Sequence, residues 1–367
     1  MDKSILLRAG LRRLGTMTRE LAYIKSGIDV TAPESITAQV NRRCNYKCQY
    51  CGCWRPQDYP QELSIKEWQH ALLSLKEFIG RYNIQFLGGE PFIKKGFVDL
   101  LTFCRRHEID WGVITNGSAF SAKIAKKVVA ARPSNINISV DSSEALVNDF
   151  IRGAPGSLHT IEKGIECLRE ERERSGYRFP IRIKPTVTRV NFRLLPQLTK
   201  WAVAHGADSI DFHPVTTQPF WTPQIKADLM PHAEEIQDLR GVIESLIEMQ
   251  KNGAPVETPA EKLRSYADQF LGQVVKTSIS GPCRVGMRDF HINSSGDVEV
   301  CWEYPFIGNV RTESARDIWH SEKAQAIRAQ ILTCPKLGKE CANGCMDNRS
   351  LLQDVRRAAR MVMKGAL

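Results

Sequence analysis

Between residues 36 and 215, short β-branched runs alternate with longer helical patterns, and this alternation constrains the fold more than any other feature of the chain. The runs "TAQV", "IQFLGG", "WGVITNG", "NINISVDS", "IRIKPTVT" and "SIDFHPV" read as strands. After the first of them, Ile65, Trp68, Leu72, Leu75 and Phe78 recur at helical spacing behind Ser64, an expected N-cap. Further helices are expected over "FVDLLTFCRRH", "AKIAKKVVAA", a segment capped by Ser157, and "LLPQLTKWAVAHG". Strands separated by helices form βαβ units and a parallel sheet, with right-handed crossovers. The expected fold is therefore α/β, a partial (β/α)6 barrel of parallel strands with a small C-terminal cysteine-rich module.

The pattern changes after about residue 215. "TTQPFWTPQIKADLMP" reads as a loop and "HAEEIQDLRGVIESLIEMQKNG" as a helix. From about residue 280 turns and cysteines dominate, with "SARDIWHSEKAQAIRAQIL" as one helix among them and a last basic helix in the tail. The expected boundaries are an N-terminal helical extension over 1–35, a core over 36–230, a helical connection over 231–279, the cysteine module over 280–346 and a C-terminal helix over 347–367.

Composition narrows the classes. The 367 residues carry a net charge of +10, but the basic residues are dispersed and no nucleic-acid module is present, so the charge reads as a solvated surface. No run reaches the roughly 18 apolar residues of a membrane span. The N-terminus lacks the apolar stretch of a secretory signal and suggests a short basic amphipathic helix instead. Eleven cysteines without a signal peptide point to metal before disulfides, and to a cytoplasmic location.

Four of those cysteines, Cys44, Cys48, Cys51 and Cys53, crowd ten residues just after the first strand. Soft thiolates bind iron well, and iron–sulfur clusters usually take cysteine ligands. Cys44, Cys48 and Cys51 supply three of the four ligands a cubane needs, leaving one iron open. Cys53, two residues beyond Cys51, is expected to point away and pack. Zinc is the competing reading, but structural zinc sites favour two close pairs of ligands, which this triplet does not offer.

The C-x3-C-x2-C spacing of Cys44, Cys48 and Cys51, with aromatic Tyr50 before the last cysteine, resembles the radical S-adenosylmethionine (SAM) superfamily. The resemblance implies a 4Fe–4S cluster whose open iron is chelated by SAM. Reductive cleavage of SAM would give methionine and a 5′-deoxyadenosyl radical that abstracts hydrogen from a substrate. An external electron donor such as flavodoxin or ferredoxin is implied as a partner. Family SAM contacts are matched by Gly88 and Gly89, whose missing side chains would admit a ligand, and by Glu90, which could accept from the SAM ammonium. Asn116, Ser139 and Asp141 match ribose and methionine contacts, with Thr188 and Asn191 after them. All sit at strand C-termini, where parallel α/β folds bind ligands.

Farther on, Cys283, Cys301, Cys334, Cys341 and Cys345 resemble the SPASM/twitch extensions of this family, which hold auxiliary iron–sulfur clusters. Five cysteines fall short of a full SPASM set, which suggests one auxiliary 4Fe–4S cluster. Cys283, Cys301 and Cys345 are expected ligands, with Cys341 the fourth and Cys334 its rival. An all-thiolate zinc site is the alternative. Cys104 and Cys167 fall in expected helices and read as core residues.

A small polar intermediate, such as a sugar, cyclitol or nucleoside, is the expected substrate, since about 35 residues before the first strand leave little room for a leader-peptide domain. Dehydrogenation, epimerisation or decarboxylation would follow, giving an oxidoreductase or a lyase/epimerase. A peptide-modifying enzyme is the alternative. A zinc protein binding nucleic acid is the alternative from another class. His213, Trp221, Arg284, Arg288 and Trp302 are candidate substrate-facing residues.

Overall fold

A computed structural model describes residues 3–55, 61–273, 282–337 and 341, with side chains from residue 15 onward. These residues group into two units. The larger holds residues 37–273 and 292–296, and the smaller holds residues 3–36, 282–291, 297–337 and 341. The expected N-terminal extension, α1 (Lys3–Ser26), is longer than a short helix and groups with the cysteine-rich segments.

The larger unit is built on β1 (Ser35–Gln39), β2 (Asn83–Leu87), β3 (Asp110–Thr115), β4 (Asn135–Ile138), β5 (Ile181–Ile183) and β7 (Ser209–Ile210), neighbours in that order. The pairs from β2 to β7 are parallel, in registers such as Phe86↔Val113, Ile136↔Ile181 and Ile183↔Ile210. This is the α/β fold expected. Two strand segments continue past β5 and β7 as β6 (Thr186–Val187) and β8 (His213–Pro214), a separate parallel pair. The break falls at Pro185, which has no N–H to give a ladder.

Helices α2 (Ile65–Ile79), α3 (Phe97–Arg106), α4 (Ala122–Ala130), α5 (Ala145–Arg152), α6 (Ser157–Ser175) and α7 (Leu195–Ala204) make the crossovers. Ser64 caps α2 as expected: its hydroxyl accepts from Glu67 N, and the Glu67 carboxylate accepts from Ser64 N at 2.7 Å. Trp68, Leu72 and Leu75 carry the buried stripe of that helix. Ser157 does not cap α6. It is the first helical residue, behind Gly156 in left-handed conformation, and its hydroxyl donates to Asp149 at 2.7 Å.

The segment expected as a loop after residue 215 contains α8 (Pro223–Leu229), which Thr222 caps and Pro223 opens. The helical connection consists of α9 (Ile236–Lys251) and α10 (Ala260–Phe270).

In the smaller unit β9 (Asp289–Ile292), β10 (Asp297–Glu299) and β11 (Gly308–Asn309) are successive neighbours, with β10 and β11 antiparallel. The single helix expected next breaks at Ser321 into α11 (Ala315–His320) and α12 (Glu322–Leu332), because Ser321 turns extended and caps α12. Arg328 of α12 is almost fully buried; it pairs with Asp29 and donates to Gly286 O, while Trp319 donates to Thr31 O at 3.0 Å. These bonds tie the N-terminal segment into the unit. The basic tail helix expected over 347–367 lies outside the described residues. Among the described residues no helix is long and apolar enough to cross a membrane.

Candidate active site and the second cysteine site

Because the main strands run parallel, their C-terminal ends share one edge of the sheet, and the loops carrying the candidate residues emerge there. The cysteine loop is fastened to this edge through backbone bonds. Val40 N donates to Leu87 O, Gly89 N to Asn41 O and Glu90 N to Arg43 O, all within 2.9 Å. A Cβ on Gly89 would lie 2.0 Å from Arg43 O, and one on Gly88 would lie 2.4 Å from Asn41 Oδ1. The two glycines are thus required by the close approach of the cysteine loop, a use of the missing side chain that local reading did not supply.

Each sulfur of the triplet accepts from protein donors. Tyr46 N lies 3.4 Å from Cys44 Sγ and Cys53 N lies 3.4 Å from Cys51 Sγ. Asn116 Nδ2 reaches Cys44 Sγ at 3.9 Å, and Arg152 Nη1 reaches Cys48 Sγ at 3.7 Å. Cys53 behaves differently: its thiol is directed to Gly88 O at 4.0 Å and to Cys51. Burial raises the Cys48 thiol to about 11, against the pull of the Arg152 guanidinium. Burial also raises Cys44, whereas the hydrogen bond from Cys53 holds Cys51 below the usual thiol range. Three sulfurs supplied with N–H donors, and a fourth turned aside, suit a cluster with three protein thiolates. Among the described residues no three acidic, histidine or cysteine side chains gather closely enough to share a single metal ion.

Polar residues from the strand ends surround the loop. Glu90 is fully buried, and its carboxylate accepts from Thr115 Oγ1 and Asn116 N at 2.7 Å each and from Phe92 N at 3.1 Å. Burial raises its carboxyl, and those three bonds oppose the rise. Asn116 also donates to Asn45 at 2.9 Å and accepts from Ser118 N, fixing the loop sideways. Asp141 is fully buried too. It pairs with Arg152 Nε at 2.9 Å and accepts from Tyr50 OH at 3.1 Å and from Thr186 N at 2.7 Å. Thr188 and Asn191 bond each other, and Asn191 Nδ2 donates to the carbonyls of Asp141 and Thr186. Ser139 is half-buried at the end of β4, where its N–H donates to Thr115 O.

Arg152 went unread in the sequence because a basic residue in the last turn of a helix is ordinary there. Of the other candidates, His213 leans on Asp211 at 2.9 Å, and Trp221 Nε1 is buried without a hydrogen-bond partner. Arg284 and Arg288 both pair with buried Glu20, a structural use that replaces the substrate-facing one expected. Trp302 is exposed, with its ring 4.4 Å from that of His291.

In the smaller unit, four cysteines from four separate points line one small pocket. Cys283 precedes the turn at Val285, Cys301 follows β10, Cys334 follows α12, and Cys341 folds back so that its N–H donates to Lys336 O. Val285, Ile331 and Leu337 supply apolar walls. Cys334 and Cys341, treated as rivals in the sequence, both line the cavity; Cys345 lies outside the described residues. Burial raises Cys283 to about 11, and the neighbouring thiols add to the rise. Such mutual repulsion is relieved when thiolates share a cationic cluster. Cys104 is buried and Cys167 half-buried, both on helices.

Residues 39–180 match the family model described as the radical SAM superfamily, and residues 283–346 match that of an iron-sulfur cluster-binding domain, SPASM. The chain belongs to the radical SAM superfamily. As a radical SAM enzyme with a SPASM module, it uses a 4Fe–4S cluster, SAM and auxiliary iron–sulfur chemistry. It is 27% identical over 305 residues to the PqqA peptide cyclase of Rhodopseudomonas palustris, covering 80% of this chain and 74% of that protein. It is 25% identical over 314 residues to the AdoMet-dependent heme synthase of Methanosarcina barkeri, covering 81% and 84%. In fold it resembles Streptococcus suis SuiB bound to S-adenosylmethionine, with a TM-score of 0.64 at 16% identity over 85% of this chain and 71% of that one.

These findings overturn the expected preference for a small polar substrate, since the PqqA peptide cyclase, matched over 80% of this chain, acts on a peptide. The inference from the short N-terminal segment failed because a leader-peptide domain is only one means of holding a peptide. Family membership also displaces the zinc and nucleic-acid alternative.

Proposed function

We propose that this radical SAM enzyme modifies a peptide substrate, with Cys44, Cys48 and Cys51 holding the SAM-binding cluster. The observation that carries the site is the sulfur environment of the loop, in which N–H groups serve Cys44, Cys48 and Cys51 while Cys53 turns to Gly88. Similarity to a peptide cyclase over four-fifths of the chain supports the substrate class. When bound, cluster and SAM supply reductive cleavage of SAM and hydrogen-atom abstraction.

The chain's own residues place and shield that chemistry. Glu90, Asp141, Thr188 and Asn191 spend their bonds on protein partners and act as the frame that keeps the strand-end loops in place. Asn116, whose amide reaches Cys44 and Asn45, and Ser139, half-buried at the end of β4, offer polar groups suited to SAM, and Arg152 Nη2, buried without a hydrogen-bond partner, is a cation for its carboxylate. Cys283, Cys301, Cys334 and Cys341 offer an auxiliary cluster four thiolates, which favours electron acceptance over substrate binding and hence net oxidation.

The test is 5′-deoxyadenosine formation by the reduced, cluster-loaded protein with SAM, with and without cell extract. Stimulation by extract is expected to vanish when the extract is first digested with protease. Stimulation that survives digestion would overturn the peptide reading.

A further inference from the structure

A buried cation rests against one sulfur of the cluster loop and is held there from several sides. Arg152 is 4% exposed, its Nη1 lies 3.7 Å from Cys48 Sγ, and its Nε is 2.9 Å from the fully buried Asp141. The contact cannot drift easily. Gly153, left-handed at φ +58°, packs so closely that a Cβ there would lie 2.3 Å from Lys47 O, and Gln49 N donates to Ile151 O at 2.9 Å. Both sides of Arg152 in the chain are therefore pinned to the residues flanking Cys48. Asp141 is fixed in turn by Tyr50 OH and Thr186 N.

We propose that Arg152 is a positioning residue that raises the reduction potential of the cluster at Cys44, Cys48 and Cys51, with Asp141 as the counter-charge that sets how far. Reduction adds an electron to a cluster whose charge spreads onto its sulfurs, so a donor and a cation at Cys48 Sγ stabilise the reduced form. Burial lowers the local dielectric and magnifies the effect. The carboxylate of Asp141 subtracts from it. The result is a charge pair whose near end touches the ligand. This rests on the assignment of Cys48 as a ligand, and the experiment separates the two.

The measurement is a redox titration of the full-length, cluster-loaded protein followed by electron paramagnetic resonance without SAM, the core signal being the one lost in Cys48→Ala. Arg152→Met is expected to shift the oxidised-to-reduced ratio at fixed potential at least tenfold toward the oxidised form, 59 mV for a one-electron couple. Asp141→Asn leaves the cation uncompensated and is expected to shift the ratio the other way. The double variant, which buries no unpaired charge and so guards against simple misfolding, should fall between Arg152→Met and the parent. Shifts of opposite sign cannot come from a merely structural role. Two shifts of the same sign, or none beyond threefold, overturn the proposal while leaving the cluster site standing. No core signal lost in Cys48→Ala overturns both.

Discussion

The two cysteine sites of this chain are assembled in opposite ways. The triplet at Cys44, Cys48 and Cys51 comes from one loop, and the polar residues around it come from successive strand ends. The second cavity draws Cys283, Cys301, Cys334 and Cys341 from four points along the fold and walls them with Val285, Ile331 and Leu337. A loop that carries its own ligands can lose one without losing its fold, since Glu90, Asp141 and Asn191 bond to protein partners other than the three cysteines. A cavity whose ligands are distant in sequence works the other way: a cluster there would crosslink segments far apart in the chain, so ligand loss is also loss of a tether.

That difference sets the two largest expected effects. Cys48→Ala should abolish 5′-deoxyadenosine formation, leaving less than a thousandth of the parent rate, with circular dichroism and melting midpoint close to the parent. Retained cleavage would break the assignment of the loop. Cys301→Ala should remove about four irons per chain, the content of one cubane, and lower the melting midpoint as well, while substantial SAM cleavage persists. Full iron content with an unchanged midpoint would erase the contrast between the sites.

The same contrast explains what could be read in advance. The triplet was legible because its spacing is local and its chemistry is that of cysteine alone. The strand–helix alternation was legible for the same reason, and Ser64 announced α2 through a three-residue capping pattern. The roles of Gly88, Glu90 and Asp141 were not, because each depends on what lies across the sheet edge: Asn41 for Gly88, Thr115 and Asn116 for Glu90, and Arg152 for Asp141. Arg152 is eleven residues beyond its partner in the chain, a separation with no signature. In the smaller unit, Arg284 and Arg288 looked like substrate groups until Glu20, more than 260 residues away, was found between them.

A smaller effect separates the two units by pH. Burial raises the carboxyl of Asp289, on β9, to about 7, against the hydrogen bond from Ser35 and the charge of Arg288. Its unfolded value is about 3.9. The folded chain therefore holds a proton on Asp289 between those values that the unfolded chain has released. Stability from this group is fully present below about pH 4 and is lost as pH rises toward 7. Asp289→Asn keeps a neutral side chain of similar shape and should raise stability at pH 8 by about 2–4 kcal/mol, with little change at pH 4. Denaturant melts at the two pH values check this. An equal effect at both would show that Asp289 is ionised in the fold.

The smallest effect probes how the core loop is set. Gly89 lies where β2 ends, and its missing side chain lets the carbonyl of Arg43 come close enough to accept from Glu90 N. Alanine there must push the two backbones apart, because the atom met at 2.0 Å is a main-chain oxygen with no rotamer to escape into. A cost of about 1–3 kcal/mol is expected from such overpacking. The displaced residue is next to Cys44, so the strain should also appear as lower iron content at the core loop with the second cavity still filled. Gly88→Ala meets the Asn41 side chain first, at 2.4 Å, and the main-chain oxygen of Asn41 only at 2.7 Å, so it should cost less. If Gly89→Ala instead keeps full core iron and parent stability, the loop is not held by the sheet edge but carries its shape within its own residues. The core would then be even more local than the comparison with the second cavity makes it.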